Sequence, residues 1–158
     1  MTTDDLNGVV EVARLSFPDH FEGYDCFEER QRLAPEGCFV LSSEAGEIRG
    51  YLVAYPYRRY GAPPLNSLIG KIAEDANTLY LHDLALHPQT RGGGYTRAVV
   101  ERLAEQAKAA GWPQISLVAV NNAGDFWARM GFVSQSPEGM AEKLATYGED
   151  ALYMERPL

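Results

Sequence analysis

Residues 78 to 111, "TLYLHDLALHPQTRGGGYTRAVVERLAEQAKAAG", confine the fold more than any other stretch of the chain. An apolar run ends at Pro88, three consecutive glycines follow, and a helical pattern begins at once. A plain turn rarely needs three glycines; at a strand-to-helix junction they mark backbone that lies close against something else. The first amides of a helix have no partner within it and carry the positive end of its dipole. Glycines before them let phosphate oxygens approach with no Cβ in the way, so strand, loop and helix together make an anion site.

Two familiar layouts of that kind do not fit. A P-loop requires Gly-Lys-Ser/Thr, and here the glycines are followed by Tyr95-Thr96-Arg97. A dinucleotide fingerprint requires G-x-G-x-x-G; Gly92 and Gly94 comply, but the third position is Arg97 and no βαβ unit opens the chain.

The 158 residues, 46% of them hydrophobic, suffice for one domain with a sizeable core, residues 1–158. No apolar stretch is long enough to span a bilayer, and the acidic start "MTTDDLNG" lacks the regions of a signal peptide, so a cytoplasmic protein is expected, with no membrane partner. A net charge of −8 argues against a nucleic-acid partner and is compatible with a cationic substrate, although a soluble acidic surface is the commoner reason. Cys26 and Cys38 make no CxxC or zinc spacing, no metal is implied, and Cys38 reads as buried.

The rest of the chain gives two helices and a hairpin before the central strand. Leu6, Val9, Val10, Ala13 and Phe17 recur at helical spacing, with Thr3 or Asp4 as cap. "DCFEERQRLA" is a second helix, and "CFVLSS" and "IRGYLVAYPYR" form an antiparallel hairpin. A Pro- and Gly-containing connection, 60–77, follows; in a compact domain that length is usually functional or mobile. In the helix after the glycines, Val99, Val100, Leu103, Ala107 and Ala110 make an apolar stripe ended by Gly111. "QISLVAV", an Asn-capped helix in "NNAGDFWARMG", "FVSQ" and "DALYMER" complete a mixed α/β sheet with helices on both faces.

The central strand holds a clue in its parity. Leu79 and Leu81 alternate on one face, while Leu84 and Leu86 have the opposite parity. A β-bulge at His82-Asp83 would restore both pairs to one core; a strand buried on both faces would make parity uninformative.

"LALHPQTRGGGYTRAVV" resembles the R-G-x-G-x-G/A loop of the GNAT superfamily of acetyl-CoA-dependent N-acetyltransferases, and "VAVNNAGDFWARMGF" is similar to its "N…A…FY…GF" segment. The resemblance extends to the order of elements over nearly the whole chain. It implies the GNAT fold, a central mixed twisted sheet splayed between two parallel strands. It also implies that acetyl-CoA lies in that gap as cosubstrate. Leu84, Ala85 and Leu86 would offer backbone to the pantetheine arm; Arg91, Gly92, Gly93, Gly94, Tyr95, Thr96 and Arg97 would wrap the pyrophosphate; Asn121 or Asn122 and Phe126 would hold the far side. The bulge is a family trait as well. "LYLHDLALH" is similar to the arylalkylamine N-acetyltransferase branch. Two positions depart from the pattern: Thr96 replaces the last small residue of the loop. Trp127 replaces a tyrosine that in many relatives protonates the leaving thiolate, which an indole does not do.

Acetyl transfer to an amine needs a base, stabilisation of the carbonyl oxygen and a held geometry. A backbone N–H near Leu84 or Ala85 suits the oxyanion. His82 is the candidate base, since imidazole titrates near neutrality; the alternative for this histidine is a structural role. Asp83 could serve as base instead, directly or through water, although a plain surface carboxylate is the simpler reading. Phe21, Tyr24 and Tyr55 are candidate walls of an acceptor pocket, and Tyr147 and Tyr153 are candidates for the missing acid. The expected activity is direct acetylation of a primary amine of a small molecule by a monomer or homodimer. The alternatives are a protein acetyltransferase or an acetyl-CoA-binding module without catalysis.

Overall fold

The computed structural model describes residues 1–158. Its elements are α1 (Leu6–Ser16), α2 (Tyr24–Leu33), β1 (Cys38–Ser42), β2 (Ile48–Tyr57), β3 (Thr78–Leu86), α3 (Tyr95–Ala109), β4 (Gln114–Ala119), α4 (Gly124–Ala128), β5 (Val133–Gln135), α5 (Ala141–Ala145) and β6 (Leu152–Pro157). The strands form one sheet in the order β1-β2-β3-β4-β6-β5. Only β3 and β4 run parallel; every other neighbouring pair is antiparallel.

Strand alternation sorts the core into two layers. Along β2, Tyr51, Val53 and Tyr55 face α1 and α2, while Leu52 and Ala54 face α3. The stripe of α3 is Val100, Leu103, Ala104 and Ala107, not extending to Ala110, which is exposed at the C-cap. Gly111, at φ +81°, ends the helix: its N–H bonds Lys108 O and the Trp112 N–H bonds Ala107 O, the Schellman arrangement.

The bulge is present where parity places it. Val53 lies opposite Asp83 and Ala54 opposite Leu81, so His82 is the extra residue on β3. Leu79, Leu81 and Leu84 therefore all reach the α3 layer, while Tyr80 and Ala85 face α1 and α2. The bulge also leaves two neighbours, His82 and Asp83, on the same face. The splay is equally plain: β3 and β4 pair only at Leu79–Ile115 and Tyr80–Ser116, and beyond Tyr80 the strands part.

The ends of elements are where the sequence reading needs correcting. The first turn is a 3-10 turn at Thr3–Asp5, held by Thr2, whose N–H and Oγ1 both bond Asp5 Oδ2, so neither Thr3 nor Asp4 is the cap. Helix α4 starts after Ala123, not an asparagine cap. Asn121 and Asn122 form the preceding turn, both with positive φ, a conformation asparagine tolerates better than most residues. Helix α5 has no counterpart in the apolar pattern. The residues flanking it, Met140 and Tyr147, pack with Ala62 of the 60–77 connection and Tyr153 of β6.

Candidate active site

The parting of β3 and β4 opens a cavity of about 570 Å³. That volume is within the range of small-molecule sites. His82, Asp83, Leu84, Ala85, Leu86, Arg91, Gly92, Thr96 and Phe126 line it, together with Leu117, Val118 and Trp127. The bulged strand, the glycine loop and the α4 segment thus meet in one void, although their residues span more than forty positions of sequence.

At the loop end the cavity reaches Arg91, Gly92 and Thr96. Gly92 has φ +88° and Gly94, the N-cap of α3, has φ +76°. The amides of Gly92, Gly93 and Gly94 donate to no protein acceptor. With the first amides of α3 they make a run of free N–H groups of the kind that binds phosphate. Gly93, Gly94, Tyr95 and Arg97 belong to this loop and helix start but do not line the cavity. Tyr95 is 46% exposed, and Arg97 Nη2 donates to Arg129 O at 3.4 Å. Asn121 and Asn122 are exposed beyond the end of β4, where the Asn122 N–H bonds the Asp150 carboxylate.

At the other end the lining is side chains. Ser16, Phe17 and His20 from the end of α1 and its following loop, Glu22, Leu65 and Tyr147 surround His82 and Asp83. None of Phe21, Tyr24 and Tyr55 is among them. The Phe21 ring lies against the Arg14 guanidinium. Tyr24 packs on the α1–α2 core. Tyr55 is fully buried behind His82, with ring centroids 5.5 Å apart. Tyr55 follows the alternation of β2, which turns it into the core.

His82 Nε2 lies 2.6 Å from Glu22 Oε2, and both side chains are 4% exposed. Burial raises the Glu22 pKa, but the His82 hydrogen bond and charge, Arg30 and the Asn66 N–H outweigh it and leave the carboxyl lowered. An ionised Glu22 accepts from Nε2–H, so in the neutral imidazole the lone pair is on Nδ1. That Nδ1 is buried and has no partner in the protein. Tyr51 Oη donates to Asp83 Oδ2 at 2.5 Å. Burial pushes the Asp83 carboxyl up to about 6, against the opposing pull of His82 and of the Tyr51 hydroxyl.

Glu22 was not singled out by sequence, because nothing in "FPDHFEGYD" distinguishes it from its acidic neighbours. His20, by contrast, turns inward: its Nε2 is 2.8 Å from Tyr147 O. Of the tyrosines considered as acids, Tyr153 lies outside the cavity, its hydroxyl donating to Glu155 and accepting the Tyr60 N–H. Tyr147 lines the cavity, but its hydroxyl donates to Pro63 O and burial raises its pKa. Trp127 is a wall, edge-on to Phe126 and Phe132.

The connection 60–77 reaches the His82 end of the cavity at Leu65 and is tied to the α1–α2 loop and to α2. Glu22 Oε1 accepts the Asn66 N–H at 2.9 Å, Arg30 Nη2 donates to Ser67 O at 2.7 Å, and Glu29 accepts the amides of Ile69 and Gly70 at 2.7 and 2.9 Å. No helix of the structure is long and apolar enough to cross a membrane.

Comparison with known proteins agrees with this geometry. Residues 6–132 match the model of the acetyltransferase (GNAT) family. A search of curated proteins finds no match. Among solved structures the chain is similar to the GphF GNAT-like decarboxylase in complex with isobutyryl-CoA, at 15% identity and a TM-score of 0.77 over 99% of this chain and 96% of that one. It is also similar to Naa20 of Chaetomium thermophilum in complex with a bisubstrate analogue, at 17% identity and a TM-score of 0.74 over 100% and 84%. A third is Ard1 of Thermoplasma volcanium, at 16% identity and 0.73 over 100% and 94%. Likeness at such identity speaks to the fold, and the family match covers the loop, the bulged strand and the α4 segment together. The chain belongs to the GNAT acetyltransferase family.

Proposed function

We propose that this protein transfers acetyl from acetyl-CoA directly to a primary amine of a small molecule, with His82 as base. The observation that carries the reading is the continuity of one cavity from the free amides of the glycine loop to the His82–Glu22 pair. The family membership and the isobutyryl-CoA bound to the GphF structure support a CoA thioester in the loop end.

In the reaction the amine lone pair attacks the thioester carbonyl. The C–N bond forms, the C–S bond breaks, and CoA leaves as a thiolate. His82 Nδ1 takes the amine proton. Backbone N–H groups of β3 beyond Tyr80, which has no strand on its β4 side, are the natural donors to the developing oxyanion. Trp127 cannot protonate the thiolate, and a thiol is acidic enough to leave with water as the proton source.

One feature favours a small acceptor over a polypeptide: the connection 60–77, whose Leu65 lines the cavity, is fastened beside the His82 end by bonds to Glu22, Glu29 and Arg30. A second favours plain amines over amino acids: the lining there carries carboxylates and histidines but no lysine or arginine, so nothing balances an acceptor carboxylate. Thiol release from acetyl-CoA over apolar amines, the matching amino acids and lysine or N-terminal peptides tests this. Release with the amines alone is expected, lost by on the order of 10²-fold or more in His82→Gln. Release with peptides only, or acetyl-CoA binding by calorimetry with no release across the panel, overturns it.

A further inference from the structure

We infer that Glu22 is a positioning residue that couples the cover over the acceptor end to the tautomer of His82, so that the base is set only when segment 60–77 is seated. One carboxylate serves both: Oε1 accepts the Asn66 N–H at 2.9 Å, and Oε2 meets His82 Nε2 at 2.6 Å. The bond to the cover is reinforced from the other side, because Asn66 Oδ1 accepts the Gly23 N–H at 2.9 Å. Residue 66 adopts φ +47°, which asparagine tolerates and most residues do not. The cover and the loop holding Glu22 are therefore stapled by a reciprocal pair of hydrogen bonds.

The coupling follows from donors and acceptors. Glu22 is 4% exposed and faces two donors, an amide N–H and Nε2–H. A carboxylate accepts from both, which holds His82 in the tautomer with its lone pair on the unpartnered Nδ1. Glutamine of the same shape has one acceptor. If its oxygen keeps the Asn66 N–H, its NH₂ faces His82 and moves the ring proton to Nδ1. If its oxygen keeps His82, its NH₂ opposes the Asn66 N–H and the cover loosens. In the first case both bonds survive and the tautomer reverses; in the second the bond to the cover fails.

The inference rests on His82 as base for its effect on rate, but not for its test. The chain has only three histidines, so ring ¹⁵N signals are assignable by single substitutions. In the wild type the His82 ring carries its proton on Nε2. In Glu22→Gln either that pattern reverses or amide exchange across 66–70 accelerates, and kcat falls by about 100-fold with a smaller change in KM. Asn66→Ala, which makes no bond to His82, is expected to speed exchange across 66–70 and also to mix the His82 tautomers. Asn66→Ala with a loosened cover and an unchanged His82 ring overturns the coupling, as does Glu22→Gln with both readouts unmoved. A wild type that acetylates nothing yet shows the linked changes leaves the coupling standing and removes the acetyltransfer reading.

Discussion

The two ends of the cavity are built by opposite means. The loop end uses backbone amides close together in sequence: Thr90 N–H to His87 O, Arg91 N–H to Pro88 O and Ala98 N–H to Gly94 O close it over a few residues. The acceptor end uses buried side chains joined over long separations: 37 residues for Arg30–Ser67, 44 for Glu22–Asn66, 60 for Glu22–His82 and 127 for His20–Tyr147. The first arrangement suits a ligand whose phosphates are the same in every reaction. The second suits a partner that varies, because side chains can be exchanged without rebuilding the backbone. The difference also sets what damage each end withstands: an exposed loop loses little when one atom moves, whereas a buried charge that loses its partner pays the full desolvation cost.

The largest effect is therefore expected at Arg30. Its guanidinium is 1% exposed, lies 3.1 Å from Glu29 Oε2 and holds the Ser67 carbonyl of the cover. Arg30→Ala leaves Glu29 buried without its counter-charge and should destabilise by about 3–5 kcal/mol. Thermal unfolding should show a Tm lowered by about 6–20 °C. A loss within a few degrees would mean that the charges of the acceptor end are not the anchors their burial implies.

This contrast also explains what the sequence disclosed. The glycine loop, the parity break at His82 and the apolar stripe of α3 are local patterns, and each is found in the structure, the stripe ending at Ala107 and not at Ala110. The family resemblance covered the same elements. Glu22, Glu29 and Arg30 are indistinguishable in sequence from a solvated charged helix and loop, yet all three are buried. Nothing local announces that segment 60–77 returns to pair with them. Phe21, Tyr24 and Tyr55 illustrate the converse: aromatic character near the right loop does not tell which way a ring turns. Tyr55 on β2 is spent on the core by alternation.

A smaller effect, with a definite sign, belongs to Asp83. Its carboxyl is raised to about 6 in the fold, chiefly by burial, from an ordinary 3.8. A group held above its unfolded value contributes stability below that value and loses it as pH rises through the folded one. The wild type thus gives up Asp83's contribution between about pH 4 and pH 6. Asp83→Asn still accepts from Tyr51 and does not titrate. The Tm of the variant minus that of the wild type should climb across this window and level off above it. Glu22 is lowered, so its own contribution fades as pH falls in both proteins. A difference that is flat from pH 4 to pH 7 would return Asp83 to ordinary surface behaviour.

At the loop end Gly94 is the sensitive position. At φ +76° an alanine costs about 1–2 kcal/mol, which lowers Tm by about 2–4 °C for each kcal/mol. Because the strained residue also orients free amides, Gly94→Ala should raise the KM for acetyl-CoA and leave that of the amine unchanged. Equal rises in both would mean that the two ends do not act separately.

The last and smallest effect separates the middle glycine from its neighbours. Gly93 does not share the positive φ of Gly92 and Gly94, so an alanine there meets no backbone penalty. A Cβ would instead collide with the Tyr95 ring. That ring belongs to a residue 46% exposed at the start of α3, with solvent to swing into. Gly93→Ala should therefore change Tm by less than about 1 °C, within the spread of ordinary surface substitutions. It should disturb acetyl-CoA binding only through the shifted ring. If Gly93→Ala proves as damaging as Gly94→Ala, the close approach of a ligand to this backbone, and not conformation alone, is what demands the third glycine.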